Sequence, residues 1–141
     1  MSVGRAFVSV SSVLAAACDH DRKPTVIDET HLERMTLGDR RLEREVLELF
    51  VRQTTIMLGR IVGAEPALAA AAAHTLKGSA RGIGAWRVAR AAELVENSAN
   101  GEGSAAAMDE AVTELKSASL EASAAIGSRL TGLLAELARP R

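Results

Sequence analysis

Residues 66–84 read PALAAAAAHTLKGSARGIG, and this stretch decides the fold. Pro66 suits the first turn of a helix, where its missing N–H would have no partner anyway, and Gly82-Ile83-Gly84 offers residues that take positive φ and stop it. On a wheel at about 100° per residue with His74 at the origin, Lys77, Gly78 and Arg81 fall within about 60° of it. Ala69, Ala72, Ala73, Leu76, Ala80 and Ile83 gather on the far side, so that face belongs to a core and His74 points to solvent.

Similar helical spacing extends to either side. From Arg40 to about Val62, Leu42, Val46, Leu49, Phe50, Gln53, Ile56, Met57 and Ile61 recur at intervals of three and four and predict an amphipathic helix. Gly63 to Pro66 is a helix-to-helix turn. After the glycine stop, a further helix runs from Ala85 to about Asn97, residues 97–104 (NSANGEGS) make a turn, and a last helix begins near Ala105. Met108, Val112, Leu115, Ala122, Ile126, Leu130, Leu133 and Leu137 carry its stripe almost to Pro140, with Gly127 as a point where it would bend. Upstream, Glu29 to Met35 fits a short helix capped by Asp28, and Thr36-Leu37-Gly38-Asp39 is a turn whose Asp39 caps the next helix. The expected fold class is all-α: an antiparallel four-helix bundle over residues 26–138, with a short extra N-terminal helix. Residues 1–25 are expected to be a mobile or loosely docked extension and linker, the polar run Asp19 to Thr25 forming the linker.

Composition narrows the function. A chain of 141 residues, 48% hydrophobic and 25% charged, is one domain able to bury a core without disulfides or metals. Its 27 alanines and three prolines favour helix. A formal charge of -1, three aromatic residues (Phe7, Phe50, Trp86) and no tyrosine argue against a nucleic-acid partner. The single Cys18 excludes an internal disulfide and a cysteine zinc site, and the histidines (His20, His31, His74) are scattered without an H-E-x-x-H pattern, so no metal site and no bound cofactor are expected. No Rossmann or P-loop glycine pattern occurs, and no apolar run approaches the roughly 18 residues of a membrane span. Arg5 before Ala6 to Ala17, with Ala15-Ala16-Ala17-Cys18, imitates an export cleavage site, but the lone basic residue and Ser9, Ser11 and Ser12 weaken it.

The chemistry concentrates around His74. A glycine inside a helix costs about 1 kcal/mol relative to alanine, and packing cannot require Gly78 on an exposed face. Its use is steric: a bare surface lets a partner protein approach the imidazole. Histidine is a nucleophile that is substantially neutral at pH 7, with an ordinary pKa of about 6.5. A phosphoryl group on it would bring about two negative charges, which Lys77 would partly offset, with Arg81 helping or meeting the partner. No acidic residue lies between Glu65 and Glu93, whereas Lys77, Arg81, Arg87 and Arg90 do, which predicts a local positive field. Gln53 would face the bundle near His74 or sit at the edge of its stripe. Glu93 and Glu96 would orient the imidazole or be ordinary solvated charges. Arg87 and Arg90 read as docking or solubility residues, Trp86 as packing, and His20 and His31 as surface or capping residues.

His74-Thr75-Leu76-Lys77-Gly78-Ser79-Ala80, followed by Ile83-Gly84-Ala85, closely resembles the signature of the histidine-containing phosphotransfer (HPt) domain. The resemblance extends from about Ile27 to Leu137 and includes Met35-Thr36-Leu37-Gly38-Asp39 through Leu49-Phe50, a stretch similar to many bacterial members. It implies a four-helix bundle in which His74 accepts phosphate from the aspartate of a receiver domain and passes it to another receiver. Lys77 matches the neighbouring cation and Gly78 the small docking residue; Thr75, Arg81 and Arg87 are expected at the partner surface. The receiver would bring the Mg²⁺. An autophosphorylating kinase would need an ATP-binding domain, for which these residues leave no room, and Thr75 stands where dimerisation domains of such kinases place an acid. A helical adaptor that binds receivers without transfer is the alternative. A monomer working in the cytoplasm is expected.

Overall fold

A computed structural model describes residues 25–140. The expected extension, its cleavage-like run and most of the linker therefore lie outside the described residues. Five α-helices follow in chain order: α1 (Glu29–Met35), α2 (Arg40–Ile61), α3 (Pro66–Ile83), α4 (Trp86–Asn97) and α5 (Ala105–Ala138). There is no strand among the described residues.

Local chemistry sets the boundaries. The Asp28 carboxylate accepts from the His31 backbone N–H at the start of α1, and Asp39 accepts from those of Arg41 and Leu42 at the start of α2. Each side chain satisfies donors that the first helical turn leaves unpaired. Pro66 opens α3, and Gly84 closes it at φ +81°, the left-handed conformation expected of the glycine stop. A Cβ on Gly84 would come within 2.8 Å of the Asp28 Cβ, so the α3–α4 corner and the start of α1 touch here. Asp28 N–H donates to the Gly84 carbonyl at 3.0 Å in the same place. The expected 97–104 turn is a wide π-type turn over 98–102 in which Gly101 has φ +92°. Ser104 then caps α5, which runs unbroken through Gly127.

The helices pack in a ring. α2 lies against α3, α3 against α4, α4 against α5, and α5 returns to α2, while α1 rests on α3. At about 1.5 Å per residue α5 is about 51 Å long and outruns α4, which spans about 18 Å. Its surplus length reaches α2 and α1 through ion pairs. Arg129 meets the fully buried Glu43 carboxylate and, at 3.4 Å, Glu29; Arg40 bonds Glu43 at 3.0 Å. The expected core face of α3 is the observed one.

One expectation about α2 is corrected. Its buried face is Glu43, Leu47, Phe50, Thr54, Met57 and Ile61, whereas Leu42, Leu49 and Ile56 are exposed. The helix is turned because Glu43 is held by two arginines and the Thr54 hydroxyl is satisfied by the Phe50 carbonyl at 2.7 Å. Two polar positions thus sit inside at no unpaired cost, and three apolar ones are left outside.

Candidate functional site

His74 lies near the middle of α3 with its side chain 68% exposed. Its Nδ1 is 2.8 Å from Oε2 of Glu96, which reaches across from the last turn of α4 and is itself only 17% exposed. A carboxylate can only accept, so Nδ1 carries the proton and the lone pair of Nε2 is left free. The other oxygen of Glu96, Oε1, lies 2.8 Å from Nζ of Lys77, whose side chain is mostly buried. At that distance the Lys77 ammonium and the Glu96 carboxylate form a close ion pair. Lys77 first, with His74 adding to it, holds the Glu96 carboxyl below the usual glutamate range against the opposing effect of burial. A single carboxylate therefore fixes the imidazole and is itself kept ionised.

Gly78, one turn further along α3, is exposed, and a Cβ there would meet nothing within 4 Å. Among the described residues, nothing in the packing requires glycine at this position. Thr75 is exposed beside His74, its hydroxyl bonded back to the Ala71 carbonyl at 3.1 Å. Arg81 is exposed two turns after His74, with Glu93 at 3.8 Å.

On the α2 side of this face lie two hollows. Met35, Val46, Leu49, Phe50, Gly82 and Ile83 line one, and Met57, Leu68 and Ala71, with Arg60, line the other next to Thr75. Met35, Leu49, Ile56 and Leu68 are about half exposed. Sequence reasoning missed these residues because it had spent Leu49 and Ile56 on the core.

Several expected site residues lie elsewhere or act otherwise. Gln53 is half buried, and its Oε1 accepts from the Ser79 hydroxyl at 2.7 Å, so it ties α2 to α3 rather than touching the imidazole. Arg87 does not stand free for docking: its guanidinium holds Glu114 at 2.9 Å and Glu121 at 2.8 Å and fastens α4 to α5. The expected positive field is largely cancelled, because Lys77, Arg81 and Arg87 each meet an acid from α4 or α5 that the linear stretch does not contain. Lys77 stands against Glu96 rather than free above the ring. His31 is more than a surface residue. Its Nε2–H donates to the Arg81 carbonyl at 2.8 Å and its ring lies 4.9 Å from that of Trp86, whose indole N–H donates to Asp28 at 3.0 Å. That indole bond, with the His31 backbone N–H second, keeps Asp28 below the usual carboxylate range.

The model of the Hpt domain family matches residues 41–139, most of the chain and all of this site. The chain belongs to the Hpt domain family. Among solved structures, this Hpt domain is similar to a rice protein described as a histidine-containing phosphotransfer protein, with 16% sequence identity and a TM-score of 0.70. The alignment covers 97% of this chain and 100% of the rice one, and at that identity it speaks for the shared helical fold. No curated protein sequence matches the chain. Among the described residues of this Hpt domain, no helix is long and apolar enough to cross a membrane.

Proposed function

We propose that His74 takes a phosphoryl group onto Nε2 from the aspartyl phosphate of one receiver domain and hands it to the aspartate of another. The observation that carries this reading is the exposed imidazole whose Nδ1 is committed to Glu96, beside a glycine that leaves its approach open. The Nε2 lone pair attacks phosphorus, the bond from phosphorus to the aspartyl oxygen breaks, and the carboxylate leaves with the electron pair. The imidazole is then a cation that keeps its Nδ1 proton, and Glu96 stabilises it. The return step reverses these changes on a second receiver. Because such transfers are governed by positioning and charge compensation, a small helical scaffold suffices. Lys77 contributes positive charge through Glu96, and Arg81 stands at the edge where phosphate or partner arrives. The partner supplies Mg²⁺.

The two hollows beside α2 and α3 supply the apolar part of the docking surface, with Gly78 and Thr75 toward His74. Receivers that signal in this way work in the cytoplasm, and we place this chain with them. Incubation with a receiver carrying labelled phosphate tests the reading. An acid-labile, base-stable label that disappears in His74→Gln is expected. A receiver that binds the chain equally well with and without His74, and never loses its phosphate to it, would instead make the chain an adaptor.

A further inference from the structure

The two hollows differ in charge. Among the described residues no ionisable side chain lines the one beside Leu49, whereas Arg60 lines the one that also holds Thr75, the residue after His74. Arg60 is exposed in the last turn of α2, and Arg52 is exposed two turns earlier on the same helix. Among the described residues neither meets a carboxylate within 4.0 Å. Arg40, Lys77, Arg81, Arg87 and Arg129, by contrast, are each answered by an acid of this chain.

The sequence explains the difference. No acid occurs between Glu48 and Glu65, so the second half of α2 offers its arginines no partner. Glu65, exposed at the start of α3, forms no ion pair with either arginine. On a wheel at about 100° per residue, Arg52 and Arg60 stand about 40° to either side of Ile56. Ile56 and Leu68 are both more than half exposed, so apolar surface and uncompensated positive charge lie together here. A cation in the last turn suits the negative end of a helix, which accounts for Arg60 but not for Arg52 in the helix interior.

We propose that Arg60, supported by Arg52, selects among receivers by charge: the cognate receiver places a carboxylate beside the apolar residue that enters the hollow between Met57 and Leu68. Receivers with a cation there are turned away. This inference rests on the proposed function and names the chemistry of its partner. Exposed charges at the edge of a contact act chiefly on the rate of encounter and on which partners are refused, and salt screens them.

The receiver that exchanges phosphate with the parent chain is the probe, and its association is followed by stopped flow at low and high salt. Arg60→Glu should slow association about tenfold at low salt, with the difference largely gone at about 0.5 M. Arg60→Gln should fall between the two, and Arg60→Lys should stay close to the parent. Transfer within the saturated complex should be unchanged, as should the urea midpoint of Arg60→Gln. Lys116→Glu, an equal change of net charge at an exposed position on α5, should leave association as it was. Replacing the matching acid of the receiver by lysine should restore fast association with Arg60→Glu. Association that ignores Arg60→Glu, that slows equally in Lys116→Glu, or that keeps its deficit at high salt would overturn the proposal and leave the proposed function standing. If no receiver exchanges phosphate with the parent, the proposed function fails and this inference falls with it.

Discussion

His74 and Glu96 sit on different helices, and the 2.8 Å contact between Nδ1 and Oε2 spans the α3–α4 interface. The His74 imidazole is thus aimed by the packing of two helices rather than by its own backbone, and its tautomer is chosen by a residue twenty-two positions away.

Glu96→Ala should leave the bundle folded and slow phosphotransfer by about 10- to 100-fold, the usual range for losing a side chain that orients a functional imidazole. Nitrogen-15 spectra of His74 give an independent reading. The Nδ1–H form should dominate in the parent and give way to a mixture in the variant.

Gly78 separates stability from function. Gly78→Ala should raise stability by about 1 kcal/mol, because helix propensity improves and the new methyl meets nothing. Gly78→Leu should also stay folded but weaken receiver transfer about tenfold or more, equivalent to about 1.4 kcal/mol. Urea titrations paired with transfer assays check both halves.

Acid should weaken the site in a defined direction. The Glu96 carboxyl is held below its ordinary value by Lys77 and then His74, so the folded state binds that proton less readily than the unfolded chain. Its contribution is fully present above the ordinary glutamate range and is lost as pH falls through the depressed folded value. The stability gap between the parent and Glu96→Gln should therefore close on acidification, as urea midpoints measured from neutral pH downward would show.

Arg129→Leu should cost about 3 kcal/mol, since it strips the buried Glu43 of one of its two cationic partners and leaves a carboxylate with no solvent. Glu43→Leu made in the same background should recover part of that loss, a coupling that a double-mutant cycle in urea would measure.

The parts legible in the sequence were those governed by neighbours along the chain. The caps at Asp28 and Asp39, the Pro66 start, the Gly84 stop and the outward direction of His74 all follow from local spacing, and all are present. What stayed hidden depends on contacts between helices. Glu43 and Thr54 take inward positions that a hydrophobicity pattern gives to Leu42, Leu49 and Ile56, because their polar atoms find partners only after folding. Arg87 looks like a docking cation until α5 brings Glu114 and Glu121 to it. Glu96 was visible as one of two acids on the right helix, but only the crossing of α3 and α4 decides that it, and not Glu93, meets the imidazole.

The two flanks of His74 are unlike: Glu96 and Lys77 stand toward α4, and the exposed apolar residues stand toward α2. Under the proposed function, substitutions along α2 would change which receiver the domain meets while the His74 imidazole stays insulated from the change. Paralogues diverging on that one helix would inherit identical transfer chemistry and separate only in the company they keep.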